Sequence, residues 1–156
     1  MKQYNSILVA KFLVALAAQK GISINVTKTQ KILFILYAFY ITKNRVIFDE
    51  RPKAWPFGPV FPKTRKKVDY NLPADINSPE FDEIREDAEF LQSCNSVIDT
   101  FGQNTAGQLT EWSHKEGSPW DKTTKLPGFK SGDPIHDELI KEYFTPLFHV
   151  GVQTEK

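Results

Sequence analysis

The chain has 156 residues, enough for one domain with a hydrophobic core and too few for two ordinary ones. Twenty lysines and arginines against nineteen aspartates and glutamates leave a formal charge of +1, so net charge gives no reason to expect nucleic acid or an anionic membrane as a partner. A single cysteine, Cys94, excludes an internal disulfide and suits a reducing compartment, so a cytoplasmic location is expected.

The stretch from Ile7 to Ala18 resembles a secretory apolar region, but Lys11 interrupts it and only Lys2 lies upstream; a core helix fits better. That helix starts near Asn5 or Ser6, carries Ile7, Leu8, Phe12, Leu13 and Leu16 inward, and ends at Gly21. Thr27 to Gln30 reads as a capping box opening a second helix. Every residue from Ile32 to Ile41 is apolar or aromatic, which places this helix at the centre of the domain. The run falls well short of the roughly 20 residues of a membrane span, so no membrane association is expected. Val46 to Phe48 and Ala54 to Phe57 read as two short strands joined by a turn at Asp49 to Pro52, a β-hairpin near residues 46–57.

Pro62 opens a short helix reaching Val68, and Asn71 to Ser78 is an irregular linker. Ser78-Pro79-Glu80 starts a long helix to Gly102, with Phe81, Ile84, Ala88, Leu91, Asn95, Ile98 and Phe101 on one face and an acidic run from Asp82 to Glu89 on its wet side. Another helix covers about Thr105 to Glu116, with Gly117 and Pro119 ending it, and a loop follows from Asp121 to Gly132. Asp133-Pro134 begins a last helix that Pro146 stops, leaving 149–156 as a flexible tail of a single domain covering 1–148. The fold class is mainly α: a single-domain helical bundle around a buried second helix, with a short edge hairpin.

The chemistry-bearing residues do not form a convincing catalytic set. His114 and Glu116 are the first candidates for a metal-dependent hydrolase, yet residues two apart on a helix point to nearly opposite sides. The plainer reading has His114 bonding carbonyls or a carboxylate at the helix end. Cys94 sits in an apolar pattern and reads as a structural thiol. No glycine-rich loop opens a helix in the context that phosphate binding requires, and no cofactor is expected. Lys63, Arg65, Lys66 and Lys67 form the densest basic cluster and read first as a solvated helix face, with a nucleic-acid-binding regulator as the rival. The segment from Trp55 to Phe61 is different. Pro56 and Pro59 stiffen it before anything binds, which lowers the entropic cost of docking, so Trp55, Phe57, Phe61, Lys63 and Arg65 are the candidate partner-binding residues.

Three ordered blocks carry a family resemblance. Thr29-Gln30-Lys31-Ile32-Leu33-Phe34 is similar to a Leu-Gln-Lys-Leu-Leu-Tyr helix start, and Phe48-Asp49-Glu50, Ala54-Trp55 and Gly58-Pro59-Val60 match the next signature. Ser113-His114-Lys115-Glu116-Gly117-Ser118-Pro119-Trp120 resembles a Thr-His-x-Glu-x-Ser-Pro-Trp block. In these blocks the chain resembles the Panacea domain family, the SocA-like antitoxins often described as phage-associated proteins. Thr29, Gly107 and Ser113 depart from the pattern, and none removes a catalytic group. The resemblance implies a non-enzymatic antitoxin that neutralises a cognate protein toxin, usually encoded by the adjacent gene, by direct contact or as an adaptor delivering it to a AAA+ protease.

Overall fold

The computed structural model describes the backbone of residues 2–154 and the side chains of residues 2–148. Asn5 opens the first helix, α1 (Ser6–Gln19), its carboxamide oxygen accepting the amides of Ile7 at 2.9 Å and Leu8 at 3.1 Å. The helix closes as expected. Gly21 adopts φ +76° and donates to Ala18 while Ile22 donates to Ala17, the paired bonds of a Schellman motif. Helix α2 (Val26–Ile41) is capped by Asn25, whose side chain accepts the Lys28 amide at 2.9 Å, and not by the expected box of Thr27 and Gln30. Asparagine is as good a cap as threonine and stands two residues earlier. Gln30 is thereby released for contacts elsewhere.

The hairpin is displaced from its expected place. Strands β1 (Lys53–Trp55) and β2 (Gly58–Val60) pair antiparallel, with Trp55 opposite Gly58 and the turn at Pro56-Phe57. Val46 to Phe48 forms no strand of it; Phe48 bridges in parallel to Tyr4, whose amide donates to Ile47 at 2.7 Å. The turn moves because Gly58 supplies a positive φ, +113°, immediately after Pro56-Phe57, whereas 49–52 contains no glycine. Residues 132–135 extend the free edge of β1. The Ala54 amide donates to Asp133 and that of Ile135 to Pro52, so the expected helix start at Asp133-Pro134 is instead extended chain.

After α3 (Pro62–Lys67) and an irregular stretch, the expected long helix is broken into a 3-10 turn (Pro79–Phe81), α4 (Asp82–Glu86) and α5 (Ala88–Phe101). Asp87 breaks it by capping α5, accepting the Phe90 amide at 3.1 Å and the Tyr4 hydroxyl at 2.6 Å. The break re-phases the buried face. Phe90, Cys94, Val97 and Ile98 point inward while Ala88 is exposed. Helix α6 (Ala106–Ser113) carries a true capping box of Thr105 and Gln108 and ends short of Glu116. Pro119, expected only to stop a helix, also starts one: α7 (Pro119–Thr124), capped by Ser118.

Helix α8 (Asp137–Thr154) passes through Pro146 instead of ending there. Pro146 is exposed, and one turn beyond Phe144 the ring of Phe148 packs on Phe144 and Phe39 at 5.4 and 5.5 Å, which favours continuing the helix over the bond that proline cannot donate. Of the tail expected at 149–156, the last two residues lie outside those described. At the centre lies α2, in contact with α1, α3, α5, α6, α8 and β2, with every residue from Ile32 to Ile41 except Phe39 buried. The molecule is thus mainly helical with one small antiparallel hairpin. No helix among the described residues is long and apolar enough to cross a membrane.

Candidate functional site

The residues of the three sequence blocks are brought to one side of α2. Lys31, one turn into that helix, is 2 % exposed and aims its ammonium at the carbonyl of Phe57 in the hairpin turn, to which it donates. Only glycine permits this approach. A β-carbon at Gly58 would stand 2.7 Å from Lys31 Nζ and 2.8 Å from Ser113 Oγ. Burial pushes the Lys31 amine down to about 8, because few groups replace the water that would solvate its charge.

Gln30 makes the second tie between α2 and the hairpin. Its oxygen accepts the Phe61 amide and its nitrogen donates to Thr64 Oγ1, both at 2.7 Å, and Thr64 Oγ1 in turn donates to Phe61. All of these groups are buried, so the bonds satisfy polar atoms that have no access to water. Asp49 accepts the amide of Ser6 at 2.9 Å, and Glu50 accepts the Lys63 amide at 2.7 Å and the Ser6 hydroxyl at 3.0 Å. Phe48 packs against Phe61 and Tyr37 at 5.6 and 6.0 Å. Pro59, opposite Ala54, is buried in the centre of β2.

The block from Ser113 to Trp120 closes over the same hairpin. The indole of Trp120 donates to the carbonyl of Trp55 at 2.7 Å and stacks on His114, with centroids 3.8 Å apart and planes 6° from parallel. Ser118 donates to Ser113 at 3.0 Å, and the Gly117 amide donates to Asp121 at 2.8 Å. His114 is the C-cap of α6; no carboxylate pairs with its imidazole, and the carbonyl that acts on it, favouring the charged form, is that of Phe57. Its Nε2 is buried without a partner, and burial together with the Lys31 charge lowers its pKa. Its bracing comes from the stacked indole.

This arrangement holds backbone together. Lys31 is bonded to Phe57, the Ser113 hydroxyl donates to Thr110 at 2.9 Å, and Glu116 is an exposed side chain beyond the end of α6. Among the described residues no three His, Cys, Asp or Glu side chains gather closely enough to hold a metal ion. Cys94 is buried, and that burial raises its pKa away from the thiolate. Gly107 is exposed in the first turn of α6.

The candidate partner-binding residues separate. Phe57 is 62 % exposed at the turn, and Lys63 and Arg65 are exposed on α3. Trp55 is half-buried, with the Arg65 guanidinium 5.3 Å from its ring centroid. Phe61 is fully buried between Tyr37 and Phe48, so it belongs to the core and not to a contact surface. Lys31 is the residue whose task reading residue by residue did not find. Its signal was a lysine placed directly before an all-apolar helical run, where a cation must find a carbonyl.

The model of the Antitoxin SocA-like Panacea domain matches residues 29–121, a span that contains the ties of Gln30 and Lys31 to the hairpin and those of the Ser113 to Trp120 block. The chain belongs to this SocA-like antitoxin family. Within it, the chain is similar to Antitoxin SocA of Caulobacter vibrioides (strain NA1000 / CB15N), at 29 % identity with 87 % of this chain and 80 % of the relative covered. No solved structure matches. For a SocA-like chain, the Panacea motifs Gln30-Lys31, Gly58-Pro59 and Ser113 to Trp120 are the joint between hairpin and bundle.

Proposed function

We propose that the chain is an antitoxin that neutralises a cognate protein toxin, encoded by the adjacent gene, through direct protein–protein contact. The observation that carries the reading is the family match across residues 29–121, joined by similarity to an antitoxin over most of both chains. The motif residues support a binding protein, because Lys31, Gln30, Ser113 and Trp120 each bond main-chain carbonyls or amides of neighbouring elements and turns. The contact face is the outer side of the hairpin and α3, where Phe57, Lys63 and Arg65 stand exposed beside half-buried Trp55.

The test is co-expression with the product of the neighbouring gene in a host that this product arrests. Restored growth together with a complex stable to gel filtration is the expected result; continued arrest and no complex would sink the reading. Repeating the experiment in a host lacking the AAA+ unfoldase separates two modes. Direct occlusion predicts unchanged rescue, and an adaptor role predicts that rescue disappears while the complex persists.

A further inference from the structure

Charge along this chain is unevenly distributed in a way its total hides. Residues 51–68 contain Arg51, Lys53, Lys63, Arg65, Lys66 and Lys67 and no carboxylate, so the rest of the chain is net acidic although the total is +1. Elsewhere the cations are widely spent on internal partners: Lys2, Lys11, Lys20, Lys43, Arg45 and Arg85 each lie within ion-pair distance of an acid. In the basic segment only Arg51 does, pairing with Asp137; the other five appear in no ion pair among the described residues. The nearest acid in sequence, Glu50, is in no ion pair with them among the described residues; its two oxygens accept from the Ser6 hydroxyl and from the Lys63 amide.

The same segment carries an apolar anchor that is already fixed, and Arg65 of α3 reaches back to the hairpin, 5.3 Å from the ring centroid of Trp55. The Phe57 ring is exposed, yet its carbonyl is held by Lys31, its neighbours include Pro56 and Pro59, and Gly58 sets the turn at φ +113°. A ring held this way loses little freedom on binding, and a buried aromatic inside a charged rim is the usual composition of a hot spot. The rim sets orientation and association rate.

We infer that the hairpin turn and α3 form a docking surface for an acidic protein: a partner presenting a pocket for one aromatic ring, Phe57, rimmed by aspartates and glutamates that meet Lys63, Arg65, Lys66 and Lys67. A protein is favoured over nucleic acid because the basic helix is only six residues long, while the remainder of the molecule is net acidic and repels a phosphate backbone that runs beyond it. The inference rests on the antitoxin reading and specifies the face of the toxin that it meets.

The experiment measures binding of the neighbouring gene's purified product to the full chain by surface plasmon resonance at several salt concentrations. Wild type is compared with Phe57→Ala and with the double variant Lys63→Glu/Lys66→Glu, and unchanged thermal melts establish that both variants fold. Phe57→Ala is expected to weaken binding by at least about tenfold, mainly through faster dissociation. The double variant should lose a similar factor mainly in association rate, and the salt dependence should flatten with it. Wild-type affinity in both variants would overturn the docking surface and leave the antitoxin reading standing. No binding by wild type would overturn both. Binding of a random DNA duplex that the double variant abolishes, with toxin binding untouched, would assign the basic face to nucleic acid and also overturn the inference.

Discussion

Position 58 admits glycine for two separate reasons, a backbone at φ +113° and two polar atoms less than 3 Å from where a β-carbon would stand. Gly58→Ala should therefore lower stability by about 2–4 kcal/mol, measured by urea denaturation, since strained φ and overpacking each cost about 1–3 kcal/mol. A loss below the smaller of those terms would show that the lysine can withdraw. Lys31 makes a separate prediction about pH. Its folded amine, pushed down to about 8, releases its proton before the unfolded one, whose ordinary value is 10.5, so between these values the unfolded chain binds the extra proton. Stability from this group is complete above the upper value and is lost as pH falls through the lower one. From pH 8 to about pH 9.5 the folded state should gain roughly 1–2 kcal/mol, a rise that Lys31→Met removes. Equal pH slopes in the two proteins would contradict a buried, strained ammonium. The window stops there because the hydroxyls of Tyr4 and Tyr37, bonded to Asp87 and Asp137, have pKa values raised by burial and would begin to oppose the trend.

At the scale of elements, the boundaries moved wherever two local signals of similar strength competed. Asn25 and Thr27 both cap helices well, and Asn25 wins because Gln30, the reciprocal partner of Thr27, is worth more between Phe61 and Thr64. Ser78-Pro79 does start helical structure, but Asp87 restarts it nine residues later with Tyr4 holding the second carboxylate oxygen. Asp87→Ala should thus cost about 2–3 kcal/mol, from a lost cap and a buried hydroxyl left without its acceptor, whereas Asp87→Asn should retain most of the stability. Thermal or urea unfolding of the two variants distinguishes them, and equal losses would mean that the charge and not the cap is what matters. The short helix α3 shows the converse case. Its start at Pro62 is readable because proline at the first helical position is itself the signal, but its N-cap Phe61 has no capping side chain, and the Lys63 amide is accepted by Glu50, thirteen residues away in sequence, which adjacent residues cannot announce.

For the molecule as a whole, α2 is the element that the others cover, and its position follows from a run with no polar side. Amides of Ile32 to Ile41 should exchange with deuterium only through global unfolding, with an exchange free energy equal to that from denaturant titration. Faster exchange there than in α5 would displace α2 from the centre. Much of the architecture was legible for the same reason: apolar periodicity, prolines and caps act between residues a few positions apart, so the sequence alone determined a helix-rich single domain, its buried second helix and the motif blocks of its family. The candidate site was legible only as a set of residues. Gln30, Lys31, Trp55, Gly58, His114 and Trp120 can be named from the sequence, but not that they touch, and Phe61, which reads as a partner-binding residue beside Trp55 and Phe57, is core. Only the tertiary structure decided that Lys31 meets the Phe57 carbonyl, that the hairpin turns at Pro56-Phe57, and that α8 continues past Pro146. In each case the local alternatives differ by little, and burial of a distant partner, a ring or an otherwise unsatisfied polar group, selects among them.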